Sequence, residues 1–316
     1  MPIVERDPWR MQYFEGVPCP EGVFVPTEDG DAWELFPQYK WIYNKLLVAE
    51  SQGMACGPHG LEPKSFPVFS KPIYNMRGMG AESRVLRTLK DYHLNQQPGH
   101  LWMPLLEGEH VSTDVAVADG EPRWWRHVTG KSIGEGMFDY WTVLAADRPA
   151  IEDYCGAWLR KHLRGYTGMV NFETIGARII EAHLRFSDQW PALYGRGWLD
   201  ALVRLYALGR WDYADDDRRD GYSVVLFGPH GLQYRHPDRE AVRELRGRPG
   251  VSSIQVTFHE DRPPSAHSMP PGGFRLAIVN CFDLEVGIWV RERLVLHFWS
   301  TQRIVGSRRS RRREVA

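Results

Sequence analysis

Cysteine is scarce in this chain of 316 residues. There are four, Cys19, Cys56, Cys155 and Cys281, and no two form a CxxC pair. Such spacing supports neither a disulfide frame nor a zinc site, and it fits reduced thiols in a cytoplasmic protein. Long apolar runs are missing too: none approaches the roughly 20 residues that a membrane-crossing helix needs. The opening stretch MPIVERDPWR lacks an apolar h-region and does not read as a signal peptide. Excess charge of one sign is absent. The net charge is −1, so no global field draws nucleic acid or membrane. The one feature pointing toward nucleic acid is the basic end SRRSRRREVA, which reads as a solvated tail. Internal repeats are absent as well.

What is present is ordinary for a globular chain: 43% hydrophobic and 25% charged residues, with length for two or three domains. The most informative stretch is Gly168 to Gln189, GMVNFETIGARIIEAHLRFSDQ. Apolar and polar residues alternate on both sides of Gly176, the pattern of a β-hairpin. A three-residue turn (Gly176, Ala177, Arg178) would pair Ile175 with Ile179, Glu173 with Glu181 and Asn171 with His183. Val170, Phe172, Ile180, Ala182 and Leu184 then share one face. Asn171, Glu173, Glu181, His183 and Arg185 share the other. Two carboxylates side by side repel unless a cation lies between them, and a hard divalent ion such as Mg²⁺ takes one or two carboxylates plus phosphate oxygens. A salt-bridged surface hairpin is the competing reading.

Around this hairpin the pattern predicts the following elements. Residues 1–40 read as an irregular arm with a short strand at Gly22–Pro26. A helix spans Lys40–Gln52, stopped by Gly53. Pro67–Lys71 is a strand running into Asn75-Met76-Arg77-Gly78-Met79-Gly80, and a helix starts near Ala81. Leu101–Glu109 is a short apolar run. Strands at Val111–Ala118 and Pro122–Val128 flank the Asp119-Gly120 turn, and Thr129–Gly136 is a glycine-rich loop. Asp147 caps a helix with Pro149 at its first position, burying Ile151, Tyr154, Cys155, Trp158, Leu159 and His162. Trp198–Leu208 is an amphipathic helix with Gly209 as its stop. Asp212–Asp220 is a solvated charged linker. Residues 221–300 form a β-α-β-β-α unit.

Four pieces, in order, resemble the ATP-grasp superfamily over roughly residues 40–210. Lys45 in NKLL is similar to that family's early phosphate-binding lysine. Ser70-Lys71-Pro72 followed by Gly78-Met79-Gly80 resembles its strand-borne lysine and flexible glycine loop. Leu106-Glu107-Gly108-Glu109-His110-Val111-Ser112-Thr113-Asp114-Val115 resembles the hinge strand beyond the adenine pocket. Glu173, then Glu181-Ala182-His183-Leu184-Arg185, resembles the paired metal carboxylates and the terminal Glu-x-Asn-x-Arg signature.

The resemblance implies an α+β ATP-grasp fold. Its small subdomain would cover residues 41–105 and its large one 106–220, after the arm and before the C-terminal unit and tail (301–316). It implies ATP between the subdomains, with Lys45, Lys71, Gly78 and Gly80 on the phosphates. Met103, Leu105, Glu107 and Glu109 would lie around adenine. Glu173, Glu181 and His183 would hold Mg²⁺. Arg185 and Lys71 would act on the transferred phosphoryl group. The implied reaction joins a carboxylate to an amine through an acyl phosphate. Phosphoryl transfer without ligation, or nucleotide binding without catalysis, are the alternatives.

Three departures stand out. His183 occupies the family's Asn position, and imidazole suits Mn²⁺ or a phosphate hydrogen bond better than Mg²⁺. His110 occupies an expected Glu, with Glu109 one residue early. Only a short arm precedes Lys45, so the acceptor site is expected from the 221–300 unit, where Arg275 follows Gly272-Gly273, or from a second copy or partner subunit. Glu181 is read as facing the cleft, so Glu181→Ala should leave the fold near its normal stability.

Overall fold

The computed structural model describes Phe14, residues 16–75, Gly80, residues 82–299 and residues 303–304. The expectations for Gly78 and for the arginine-rich end (307–316) lie outside the described residues.

The arm is more ordered than its composition suggests. Gly22–Pro26 forms no strand, and the chain instead enters helix α1 (Asp29–Leu35) and a 3₁₀ turn at Pro37–Tyr43 before helix α2 (Lys45–Ser51). The single helix expected over Lys40–Gln52 is therefore broken. Asn44 breaks it: its side-chain oxygen accepts from the Leu46 and Leu47 amides at 3.1 Å each, which fixes Asn44 as an N-cap in extended geometry. Beyond α2 lies a small antiparallel sheet of four strands, β1 (Gly57–Pro58), β2 (Val68–Pro72), β3 (Arg84–Leu86) and β4 (His100–Pro104). Their order is β1-β4-β2-β3. Helix α3 (Leu89–Leu94), capped by Thr88, contributes Tyr92 to a core with Val68, Leu86 and Trp102. Ala81 lies outside the described residues, and residues 82–86 do not continue the helix expected near it. Arg84–Leu86 pairs with Val68–Ser70 instead, with Leu86 turned inward and Val85 outward.

The large sheet contains β5 (His110–Ala118), β6 (Glu121–Gly134), β7 (Met137–Val143), β8 (Gly168–Ile175), β9 (Arg178–His183), β10 (Gly221–Gly228), β12 (Val251–Val256) and β13 (Phe274–Cys281). All pairings are antiparallel, in the order β12-β13-β10-β7-β6-β5-β8-β9. Two-residue strands at Leu232–Gln233 (β11) and Arg303–Ile304 (β14) pair separately. Helix α4 (Pro149–His162) packs Ile151, Cys155, Trp158 and Leu159 on one face, against Val115, Val170 and Phe172. Helix α5 (Trp198–Leu208) covers the other with Trp198, Leu202 and Leu205, among Trp124, Trp141 and Trp190.

The β-α-β-β-α unit is present, with helices α6 (Arg239–Arg246) and α7 (Leu284–Trp299). Because β10 pairs with β7, this unit extends the large sheet without a break. Thr129–Gly136, expected as a loop, is largely the far half of β6. Gly130 is small for packing: a Cβ there would collide with the rings of Phe138 and Trp141. Asp147 caps nothing; Arg148 holds the cap position and Asp147 pairs with Arg218 at 3.0 Å. The charged linker is anchored too. Asp215 accepts from Trp124 Nε1 at 2.8 Å and from Arg126 Nη2 at 2.7 Å, and Arg126 is fully buried. A buried guanidinium requires such a partner.

Candidate active site

The β8–β9 hairpin lies at the end of the large sheet, next to the small sheet of β1–β4. Its turn has two residues, Gly176 and Ala177, both left-handed (φ 53° and 61°), where three were expected. This is the turn whose twist suits a hairpin. A register shift just beyond the turn leaves Ile180 as a bulge. Past the bulge, Glu173 faces Glu181 and Asn171 faces His183, as the alternation predicts. The bulge changes which isoleucine enters the core: Ile179 is fully buried, and Ile180 only half.

The acidic pair is matched by cations from three directions. His110 Nε2 lies 2.6 Å from Glu173 Oε2. Lys45 Nζ lies 2.7 Å from Glu181 Oε1, and His183 Nε2 lies 3.6 Å from Glu181 Oε2. Burial alone would raise the Glu181 pKa, but Lys45, with His183 and Lys71 beside it, holds it well below the usual carboxylate range. Burial would likewise lower His110, yet Glu173 raises it overall. Both carboxylates keep a cleft-facing surface, 22% exposed for Glu173 and 21% for Glu181. Lys45 is buried at 6%.

Lys45 and Lys71 meet because their elements are tied together. The Lys45 amide donates to the Ile73 carbonyl at the end of β2, 3.0 Å away. Lys71 Nζ donates to the Ile180 carbonyl at 2.7 Å. Lys71 is 3% exposed, and burial, helped by Lys45 and opposed by Glu181, brings its pKa down to about 8. Among the described residues, the outer edge of β9 has no strand partner. Gln52 takes that place. Its Nε2 donates to the Ile179 carbonyl at 2.8 Å, and its Oε1 accepts from the Ile179 amide at 2.9 Å.

Behind His183 and Arg185 stands Asp29, the first residue of α1. His183 Nδ1 lies 3.0 Å from Asp29 Oδ1. Arg185 donates to the same carboxylate from Nε at 2.8 Å and from Nη2 at 3.1 Å. Burial would raise the Asp29 pKa, but Arg185 and His183 hold it well below the usual range. His183 moves up to about 9, because Asp29 overcomes its burial. Deeper on the same face, Asp114 accepts from Tyr194 Oη at 2.6 Å, the Ser187 amide at 2.9 Å and Asn171 Nδ2 at 2.8 Å. Burial still lifts its pKa to about 6.

The segment before β5 packs against the hairpin turn. Gly108 (φ 122°) lies back to back with Gly176: a Cβ on Gly108 would sit 2.8 Å from the Gly176 Cα. A Cβ on Gly176 would sit 2.5 Å from the Glu107 carbonyl oxygen. Both positions therefore need glycine for space as well as for backbone conformation. Met103 is buried in β4, whereas Leu105 and Glu107 are exposed. Glu109 reaches Arg148 at 3.5 Å, and His110 takes the turn toward Glu173. Gly80 is left-handed, in the loop before β3.

The structure thus gathers Lys45, Lys71, Glu173, Glu181, His183 and Arg185. It adds Asp29 and Gln52, which sequence reading missed. Neither belongs to a motif, since Gln52 replaces a backbone group and Asp29 comes from the arm. Among the described residues, no three His, Cys, Asp or Glu side chains form a metal cage. Two in-register carboxylates do fit Mg²⁺, which keeps water and phosphate in its remaining positions.

No protein-family model matches the sequence, and no curated protein matches it at a significant level. Solved structures resemble it in three dimensions. An L-amino acid ligase from Bacillus licheniformis superposes with a TM-score of 0.56 at 12% identity, covering 91% of this chain and 82% of that one. Phosphoribosylamine–glycine ligase from Thermotoga maritima gives 0.58 at 12% identity, with 91% and 85% covered. The biotin carboxylase domain of Hydrogenobacter thermophilus 2-oxoglutarate carboxylase, solved with MgADP, ADP and bicarbonate, gives 0.54 at 16% identity, with 87% and 68% covered. At such identities the likeness shows the fold, and the fold is that of the ATP-grasp proteins.

Proposed function

We propose that this chain is an ATP-dependent ligase joining a carboxylate to an amine or similar nucleophile. One observation carries the reading: Lys45 of α2 and Lys71 of β2 converge on the Glu173–Glu181 side of the hairpin. Fixed cations beside paired carboxylates suit a triphosphate with its metal. Lys45 and Lys71 hold phosphate oxygens, and the hinge around Met103, Leu105, Glu107 and Glu109 holds adenine. Mg²⁺ bound by Glu173 and Glu181 would neutralise charge on the phosphate oxygens. His183, already turned toward Glu181 and Asp29, orients the carboxylate. Arg185 uses three N–H groups on Asp29 and the Phe186 carbonyl. Two of its five remain for the transferred phosphoryl group.

An oxygen of the substrate carboxylate attacks the γ-phosphorus and ADP leaves, giving an acyl phosphate. The amine then attacks the acyl carbon, phosphate departs, and the amine loses a proton. Positioning and electrostatics do the work here, which suits a site without a nucleophile–base pair.

The test begins with the thermal midpoint of the wild type and of Glu181→Gln, with and without MgADP. Ligand at a hundredfold excess over Kd stabilises by about 2.7 kcal/mol. The wild-type midpoint should rise and the variant's rise should shrink. ADP release is then followed with carboxylates and amines, singly and in pairs. Turnover only with pairs supports ligation, and turnover with one acceptor makes the protein a kinase. No shift at millimolar nucleotide removes the nucleotide reading.

A further inference from the structure

The geometry points to Asp29 as the residue that positions Arg185 and His183 for phosphoryl transfer, so that the N-terminal arm completes the active site. This rests on the ligase reading above and adds a residue outside the resembling motifs. Asp29 is buried at 6%. Its two oxygens receive Arg185 Nε and Nη2 at 2.8 and 3.1 Å, a two-point contact that fixes the guanidinium plane. The same carboxylate takes His183 Nδ1 at 3.0 Å, which leaves Nε2 directed at Glu181 Oε2. One side chain therefore sets the direction of two cleft residues on alternate positions of the same strand end.

The placement is itself fixed. Asp29 opens α1, whose Ala32 packs into the core beside Tyr43 and Val48. The Tyr43 hydroxyl accepts from the Leu184 amide at 3.3 Å, between His183 and Arg185. Arm and hairpin are thus joined on both sides of the carboxylate. Without Asp29 the Arg185 fork keeps only its Nη1 contact to the Phe186 carbonyl at 3.2 Å and loses the two-point hold on its plane, and a fork misplaced by about 1 Å can lower a rate a hundredfold.

The experiment compares binding of MgADP with binding of MgADP plus aluminium fluoride, a stand-in for the transferred phosphoryl group, by calorimetry. Wild type, Asp29→Asn and Asp29→Glu are measured. Asp29→Glu keeps the charge but shifts the carboxylate by one methylene, so it serves if Asp29→Asn folds poorly. The expected result is a ten- to hundredfold loss of affinity for the fluoride complex, with MgADP changed less than threefold. Adding Asp29→Asn to Arg185→Ala should then cost little more than Arg185→Ala alone. Equal losses for both ligands, or no loss for the fluoride complex, overturn the inference and leave the ligase reading standing. Failure of the wild type to bind MgADP removes that reading and this inference with it.

Discussion

Lys71 Nζ, on β2 of the small sheet, donates a hydrogen bond to the Ile180 carbonyl in the β9 bulge of the large sheet, across 2.7 Å. The lysine proposed for the phosphates thus sits on the bulge beside the carboxylate proposed for the metal.

Its protonation gives the first prediction. Burial lowers the Lys71 pKa to about 8 from 10.5. Between these values the unfolded chain holds a proton that the folded one lacks, so this group's contribution to stability rises as pH rises from about 8 to 10.5. Nucleotide affinity runs the other way. Above about pH 8 the free protein loses the charge that meets the phosphate, and the MgADP Kd should weaken up to tenfold per pH unit. Lys71→Met should flatten that slope. A Kd constant from pH 7 to 9.5 in the wild type would separate Lys71 from the phosphates.

Glu181 is not the fold-neutral position that its cleft-facing side of the strand suggested. Its removal strands Lys45, which is only 6% exposed. Glu181→Ala should therefore lose about 3 kcal/mol in urea unfolding, the lower end for breaking a buried pair. Replacing both partners, Lys45→Met with Glu181→Leu, should recover most of that loss. Activity should be absent in both variants. Near-wild-type stability of Glu181→Ala would show that water satisfies Lys45.

The two turn residues of the hairpin predict opposite signs. Gly176→Ala places a Cβ 2.5 Å from the Glu107 carbonyl oxygen at a positive φ and should cost about 2 kcal/mol. Ala177→Gly relieves a left-handed Ala and should gain about 0.5–1 kcal/mol. Thermal midpoints of the two variants check this.

Gln52→Ala should open the edge of β9. It leaves the Ile179 amide and carbonyl without their partners, at about 1–3 kcal/mol. Amide hydrogen exchange at Ile179 should speed up well beyond that at Phe172, which lies inside the sheet. Equal protection in wild type and variant would show that Gln52 does not seal the edge.

The hairpin was legible because side chains alternate on strands, and the Glu173–Glu181 and Asn171–His183 pairs follow from that alternation alone. The turn was misread because a bulge absorbs one residue without disturbing the polar face. Gly130 mimicked a loop signal, since a glycine needed for ring packing looks like one needed for flexibility. The break at Asn44 was a cap hidden inside a helical pattern. Asp29 and Gln52 could not be read at all, because contacts across more than a hundred residues leave no local pattern.

The uninterrupted ladder from β12 to β9 has a mechanical consequence. With β10 bonded to β7, an acceptor held by the 221–300 unit and a metal held by the hairpin would, on the ligase reading, ride on one continuous sheet. Their spacing would then be independent of the small sheet of β1–β4, and a substitution that loosens that small sheet would slow every acceptor alike.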